Sequence, residues 1–230
     1  MTYKYNNVYI KDSYTIAGMY ENDGPLGKYF DKTYDKELYF GKKSWEQAEI
    51  KLLQENITNL AKKTHTKLKD INLMISGDLQ NQIVSSDYAA RELGIPFLGI
   101  YNACATSSEG LIIGSTFIDS GKIDNCVVAT VSHNMVAEKQ FRNPTEYGAP
   151  KHKTATFTAT GSASVLLTSE KSDIKVESST IGKVIDLGTN DVNHMGAVMA
   201  PAAAETIKKH LDDLKRTPDY YDLILTGDLG

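Results

Sequence analysis

Apolar residues recur at helical spacing in "SWEQAEIKLLQENITNLAKK" (44–63), where Ala48, Leu52, Leu53, Ile57, Leu60 and Ala61 fall on one stripe. Ser44 and Gln47 at its start have the spacing of a capping box. The run "INLMIS" (71–76) is short, apolar and closed by Gly77-Asp78, which predicts a buried strand and its exit turn. "SDYAARELG" predicts a second helix, stopped by Gly94 and Pro96. A strand over 97–101, a helix from about Thr106 to Ser120 ended by Gly121, and a strand over 126–131 follow. "GSASVLLTS" and "IKVESSTIGKVID" read as further strands, with a hairpin turn over 170–173 between them. Strands alternating with helices predict an α/β fold with a mixed sheet covered on both faces.

The pattern also repeats. "NLMISGDL" (72–79) returns as "DLILTGDL" (222–229), 150 positions later, and at the same offset Ile57 falls on Ile207 in a second helical stripe. "SYTI" (13–16) resembles "SSTI" (178–181) at an offset of 165, and the 15-residue difference fits an insertion within 20–41. The common order and near-constant spacing predict duplicated halves, 1–172 and 173–230, the second incomplete. The second copy stops at Gly230, where the first continues into the segment around Cys104; the expectation is a chain whose natural continuation is missing.

Composition narrows the function classes. A hydrophobic content of 41% over 230 residues suits a soluble globular protein with a substantial core. The net charge of −4 is spread out, and the densest basic stretch, "KKTHTKLK" (62–69), ends a helix that faces solvent, so no nucleic-acid partner is expected. No run approaches the ~18 apolar residues of a membrane span, and "MTYKYNNVYIKDSY" lacks the apolar core of a signal peptide. Two cysteines form no disulfide framework and point to a reducing, cytosol-like compartment.

Cys104 carries the most chemistry. In "YNACATSSEG" (101–110) it sits where a strand turns into a helix, between Ala103 and Ala105, which let a ligand approach closely. Unpaired N–H groups and the positive dipole end of the helix would stabilise a thiolate there. The same position suits a nucleophile, a pocket residue or a small buried side chain. Cys126 opens an apolar strand and is assigned to the core.

The segment "NACATSSEGLIIGSTFIDSGKIDNCVVATVSHN" resembles the nucleophile region of the thiolase and ketoacyl-synthase superfamily, with Ile118, Gly121 and Asp124 in its "I-x-x-G-x-x-D" element. That resemblance implies two βαβαβαββ halves in α/β/α/β/α layers, in agreement with the repeat. "GPLGKYFDKTYD", "SGDLQNQ", "SHNMVAEKQFRNPTEYG", "TATFTATGSASVLL" and "MGAVMAPAAAETIKKHL" resemble more narrowly the stage V sporulation protein AD family of endospore formers. Its thiolase-like members take part in moving dipicolinic acid into the developing spore. The resemblance implies a non-catalytic protein that binds dipicolinic acid or its calcium chelate and needs no cofactor or resident metal. It also implies sporulation stage V transport partners, a cytoplasmic location peripheral to the forespore or spore inner membrane, and possible homodimers.

Seven residues are assigned to the ligand site. Cys104 and Ala105 stand at the helix start, and Asp78 and Asn81 in the loop leaving the neighbouring strand. His133 and Asn134 follow the strand over 126–131, at a sheet end where ligands collect, although a histidine there is as readily structural. Arg142 offers a guanidinium for a dicarboxylate, with Phe141 or Tyr147 as walls, or else an ion pair with Glu138 or Glu146. His65 and His210 are assigned to helix surfaces, and His152 and His194 to loops. The alternative function is an acyltransferase with Cys104 as acyl acceptor, whose base lies beyond Gly230; a third reading is an assembly subunit that keeps the elbow as a relic.

Overall fold

A computed structural model describes residues 1–141, 157–191 and 194–227. In chain order its elements are β1 (Thr2–Lys4), β2 (Tyr9–Ala17), α1 (Met19–Asn22), β3 (Lys32–Thr33), α2 (Trp45–Lys63), β4 (Met74–Gly77), α3 (Val84–Leu93), β5 (Phe97–Gly99), α4 (Thr106–Asp119), β6 (Asn125–Ser132), α5 (Asn134–Phe141), β7 (Gly161–Thr168), β8 (Ile174–Lys175), β9 (Ser178–Thr180) and α6 (Met195–Leu214). They fall into two compact units, 7–176 and 1–6 with 177–230.

The larger unit holds a mixed sheet in the order β3-β2-β7-β6-β4-β5, with β8 also on β2. β4 runs parallel to β5 and β6, while β7 is antiparallel to both β6 and β2. Side chains alternate across each strand, so the two faces carry different cores. Val127, Ala129, Val131, Met74, Leu166 and Ile16 pack with Leu52, Leu53, Ile57 and Leu60 of α2. On the other face α4 seats closely because a Cβ on Gly110 would lie 2.6 Å from Val128 Cγ1, and one on Gly114 2.9 Å from Leu167 Cδ1. The sheet is thus covered on both sides, as the near-continuous apolar runs of β4 and β6 require.

Local signals account for the helix ends. Ser44 caps α2 by accepting the Gln47 N–H, but the Gln47 side chain accepts from Lys43 N–H, one residue before the cap, so the box is closed off register. Gly94 ends α3 in the left-handed region. The expected hairpin over 170–173 is not formed. β7 and β8 both pair antiparallel with β2, Tyr9 facing Thr168 on one side and Lys175 on the other, so the link carries the chain across the end of β2.

In the smaller unit β1 pairs antiparallel with β9, and His194 caps α6 by accepting the Ala197 N–H at 3.0 Å. His210 is not a free surface histidine: its ring lies 2.7 Å from both Thr180 Oγ1 and Tyr221 Oη. The repeated strand signature does not form a strand over 222–227, where Leu223 and Leu225 stand exposed. The pairing described in this unit ends with β1 and β9, so that stretch has no ladder to join.

One polar side chain ties the α2 face together. Asn56 is fully buried; its amide nitrogen donates to Tyr14 O at 3.0 Å and Ser162 O at 2.8 Å, and its oxygen accepts from Ser164 Oγ. It thereby pins α2 to the neighbouring strands β2 and β7. Asn56→Ala leaves two buried groups and one half-buried carbonyl without that partner and is expected to cost about 2 to 4 kcal/mol. A urea denaturation midpoint equal to that of the parent would contradict this role.

Candidate functional site

The site grows from crowding at the end of β4. A Cβ on Gly77 would lie 2.1 Å from Ile100 O and 2.8 Å from Thr106 Cγ2, so only glycine lets these three segments meet. Ile100 N–H continues the ladder to Ser76 O at 3.0 Å, after which the chain turns sharply. Ala103 takes a left-handed φ of 44°, a strained value for a residue with a Cβ. Ala105 N–H bonds back to Asn102 O, and the buried Thr106 hydroxyl accepts the Asn102 N–H at 3.1 Å. α4 begins there, with no side chain capping its start.

This turn places Cys104, exposed, on the wall of a cavity of about 320 Å³. The cavity lies over the strand ends beside the start of α4. Cys104, Thr106 and Ser107 come from the elbow, Thr130 and Ser132 from β6, Thr158 and Thr160 from the approach to β7, and Ser162 from β7 itself. Glu21 and Phe30 close it from the segment after β2. Ser and Thr supply eight of the lining residues, so the walls are polar chiefly through hydroxyls; no lining residue among those described is basic.

The remaining sequence candidates fall in different places. Asp78 lines the cavity, but its carboxylate points to the start of α3, accepting Gln80 N–H at 2.8 Å and Ser86 N–H at 2.7 Å; burial raises its pKa. Ala105 is exposed in the turn and Asn81 in the loop before α3, and neither lines the cavity. His133 is buried away from it, with Nε2 2.8 Å from Leu38 O, Nδ1 accepting the Met135 N–H and the ring edge-on to Phe40. Its pKa is lowered by burial, so the ring stays neutral. Asn134 works one step back: its N–H donates to Thr160 Oγ1 at 2.9 Å and its amide to Thr158 O at 3.2 Å, which fixes the wall they form. Arg142, Glu146, Tyr147 and His152 lie outside the described residues. Cys126 is buried, its thiol pushed up to about 12 by burial, and is inert.

Two carboxyls escaped the sequence reading. Glu21 lies within the stretch read as an insertion; its Oε1 accepts Thr160 N–H at 2.9 Å, and its enclosed Oε2 meets no hydrogen-bond donor among the described residues. Glu49 occupies the apolar stripe of α2, where a glutamate one position after Ala48 is read as solvent-facing. It is buried beneath the loop after β4, with Oε1 3.3 Å from Gln80 Nε2. Among the described residues no group of three or more His, Cys, Asp or Glu is placed to hold a metal ion, and no helix is long and apolar enough to cross a membrane.

Burial, and then the nearby Asp78 carboxylate, push the Glu49 carboxyl from its ordinary 4.5 up to about 8. Between those values the folded protein keeps a proton that the unfolded chain releases, so stability falls as pH rises through this window. The slope reaches about 1.4 kcal/mol per pH unit for one such group. Glu49→Gln is expected to flatten the decline in unfolding free energy across the window; parallel pH profiles for parent and variant would contradict the assignment.

Comparison with known proteins places this geometry. Residues 2–230 match the family model described as stage V sporulation protein AD (SpoVAD). The stage V sporulation protein AD of Bacillus subtilis (strain 168) is 50% identical over 223 residues, covering 97% of this chain, and the chain spans 66% of that relative's length. Among solved structures, cerulenin-bound OleA from Xanthomonas campestris superposes with a TM-score of 0.66 at 14% identity, over 95% of this chain and 74% of the other. The 3-oxoacyl-(acyl carrier protein) synthase III, FabH, of Xanthomonas oryzae pv. oryzae gives 0.64 at 14% identity, over 96% and 77%. At such identities the likeness concerns the fold alone, and it is the thiolase-like fold, with the elbow at the start of α4. With the family model matched along nearly its whole length, the chain belongs to the stage V sporulation protein AD family.

Proposed function

We propose that the cavity beneath the Cys104 elbow binds dipicolinate, free or as its calcium chelate, for uptake into the developing spore, and that Cys104 lines the site without attacking. The observation that carries this reading is a small cavity at the uncapped start of α4, where a largely apolar wall carries several serine and threonine side chains. The volume of about 320 Å³ sits at the low end for small-molecule sites and suits a single aromatic ring. Ile16, Phe30, Leu79 and Val131 offer apolar surface to the ring, and the helix N-terminus and hydroxyls offer donors to carboxylate oxygens. Family membership supports the same reading, and with it partners among the stage V transport proteins at the spore inner membrane. A homodimer through the edge strand β5, where Leu98 is exposed, belongs to the same proposal.

A second reading, acyl transfer through Cys104, draws on one observation: the cysteine is exposed directly after the strained Ala103. Calorimetry and mass spectrometry separate the two. Dipicolinate is expected to release heat on binding, acyl-CoA to leave no adduct on Cys104, and Cys104→Ala to weaken binding by about tenfold, ~1.4 kcal/mol, with its thermal transition intact. Acyl adduct formation without dipicolinate binding would establish the enzyme instead.

A further inference from the structure

His133 is a buried titratable group outside the cavity, and its ring ties two elements together. Nε2 lies 2.8 Å from Leu38 O, and Nδ1 accepts the Met135 N–H at 3.2 Å. The proton therefore sits on Nε2, and the one lone pair of the neutral ring is occupied by the start of α5.

The irregular segment between β3 and α2 stands on the other side of this bond. Phe40 is buried against Tyr34 and edge-on to His133, and Lys51 Nζ donates to Phe40 O at 2.7 Å. Phe40 holds a left-handed φ of 49°, a costly value for a residue with a Cβ, and Gly41 follows at 71°. Tyr39 stacks on Trp45, the chain's single tryptophan, at 5.8 Å. A strained turn over 38–41 is thus held against α2 and the His133 ring.

A second proton does not fit this arrangement. Nδ1–H would face the Met135 N–H and the positive end of α5, in a site closed to water. The surrounding charges leave it unfavourable. Glu46 of α2 is paired with Lys139 of α5, Glu21 after β2 accepts from Thr160 N–H, and Glu49 of α2, which faces the His133 main chain, holds its own proton. Burial outweighs the pull of the Leu38 carbonyl, Glu46 and Glu21, and keeps the ring's pKa below its ordinary 6.5.

We propose that His133 is an acid-sensitive latch: a proton on Nδ1 expels the ring from its site, frees the 38–41 turn and uncaps the start of α5. Asn134, the next residue, holds Thr158 and Thr160 in the cavity wall, so the same event loosens that wall. The closed form carries the neutral ring, so its equilibrium against the open form falls by up to about tenfold for each pH unit below 6.5. Above that value the latch stays closed.

Tryptophan fluorescence, hydrogen exchange and far-UV circular dichroism, read from about pH 7.5 down to about 4.5, test this. Trp45 emission is expected to shift to the red with a midpoint below 6.5, exchange over 38–43 to rise with it, and circular dichroism to stay constant. His133→Gln, whose amide can still donate to Leu38 O but cannot take the proton, should show neither change. Phe40→Leu weakens the closed turn and should raise the midpoint by at least about half a pH unit; it decides the matter where His133→Gln does not fold. A pH-independent Trp45 signal in the parent, the same transition in His133→Gln, or an unmoved midpoint in Phe40→Leu overturns the latch. Loss of circular dichroism in step with the emission change also overturns it, since the acid response would then be global unfolding.

Discussion

The convergence of three backbone segments at Gly77 is the constraint on which the site depends. The end of β4, the carbonyl of Ile100 and the methyl of Thr106 meet where no Cβ fits. That approach brings the chain leaving β5 close over the sheet and turns it through the strained Ala103 into α4. Gly110 and Gly114 then keep the helix low on Val128 and Leu167. Any widening at these points would lift the α4 start, and with it Cys104, away from the β6 and β7 ends that form the opposite wall.

Around this elbow the buried polar groups act mainly as positioners. Asp78 spends its carboxylate on the start of α3, Asn134 on Thr158 and Thr160, and Asn56 on the β2–β7 seam. Each is a polar group whose burial is tolerated because it closes backbone or side-chain hydrogen bonds. Glu21 Oε2 breaks that rule on the cavity side and Glu49 Oε2 beneath the loop after β4. The settings differ: Glu49 is buried beside Gln80 and the Asp78 carboxylate and holds its proton, while Glu21 is tied to Thr160 N–H in the cavity wall.

Much of this was legible in the sequence where the signal is local. The stripe of α2, the glycine stop of α3 and the cysteine at a strand-to-helix turn all follow from spacing within a dozen residues, and the structure forms each of them. The failures come from long-range pairing. Nothing near 170–173 shows that β8 crosses β2 rather than folding back on β7, because that choice is made by Tyr9 and Ile10, more than 160 positions away. His133 follows a strand end and reads as a pocket residue, yet it turns to Phe40 and Leu38 while Ser132, one position earlier, lines the cavity. Glu21 and Thr160 meet across 139 positions and carry no pattern that joins them. A run of small residues such as "TATG" before a strand is the one hint that a close-approach wall lies there.

Diffraction from crystals grown with dipicolinate examines the central claim most directly. One dipicolinate is expected at the start of α4, its ring against the apolar wall and a carboxylate at the helix N-terminus. Dipicolinate seated elsewhere with this cavity empty would contradict the assignment of the site.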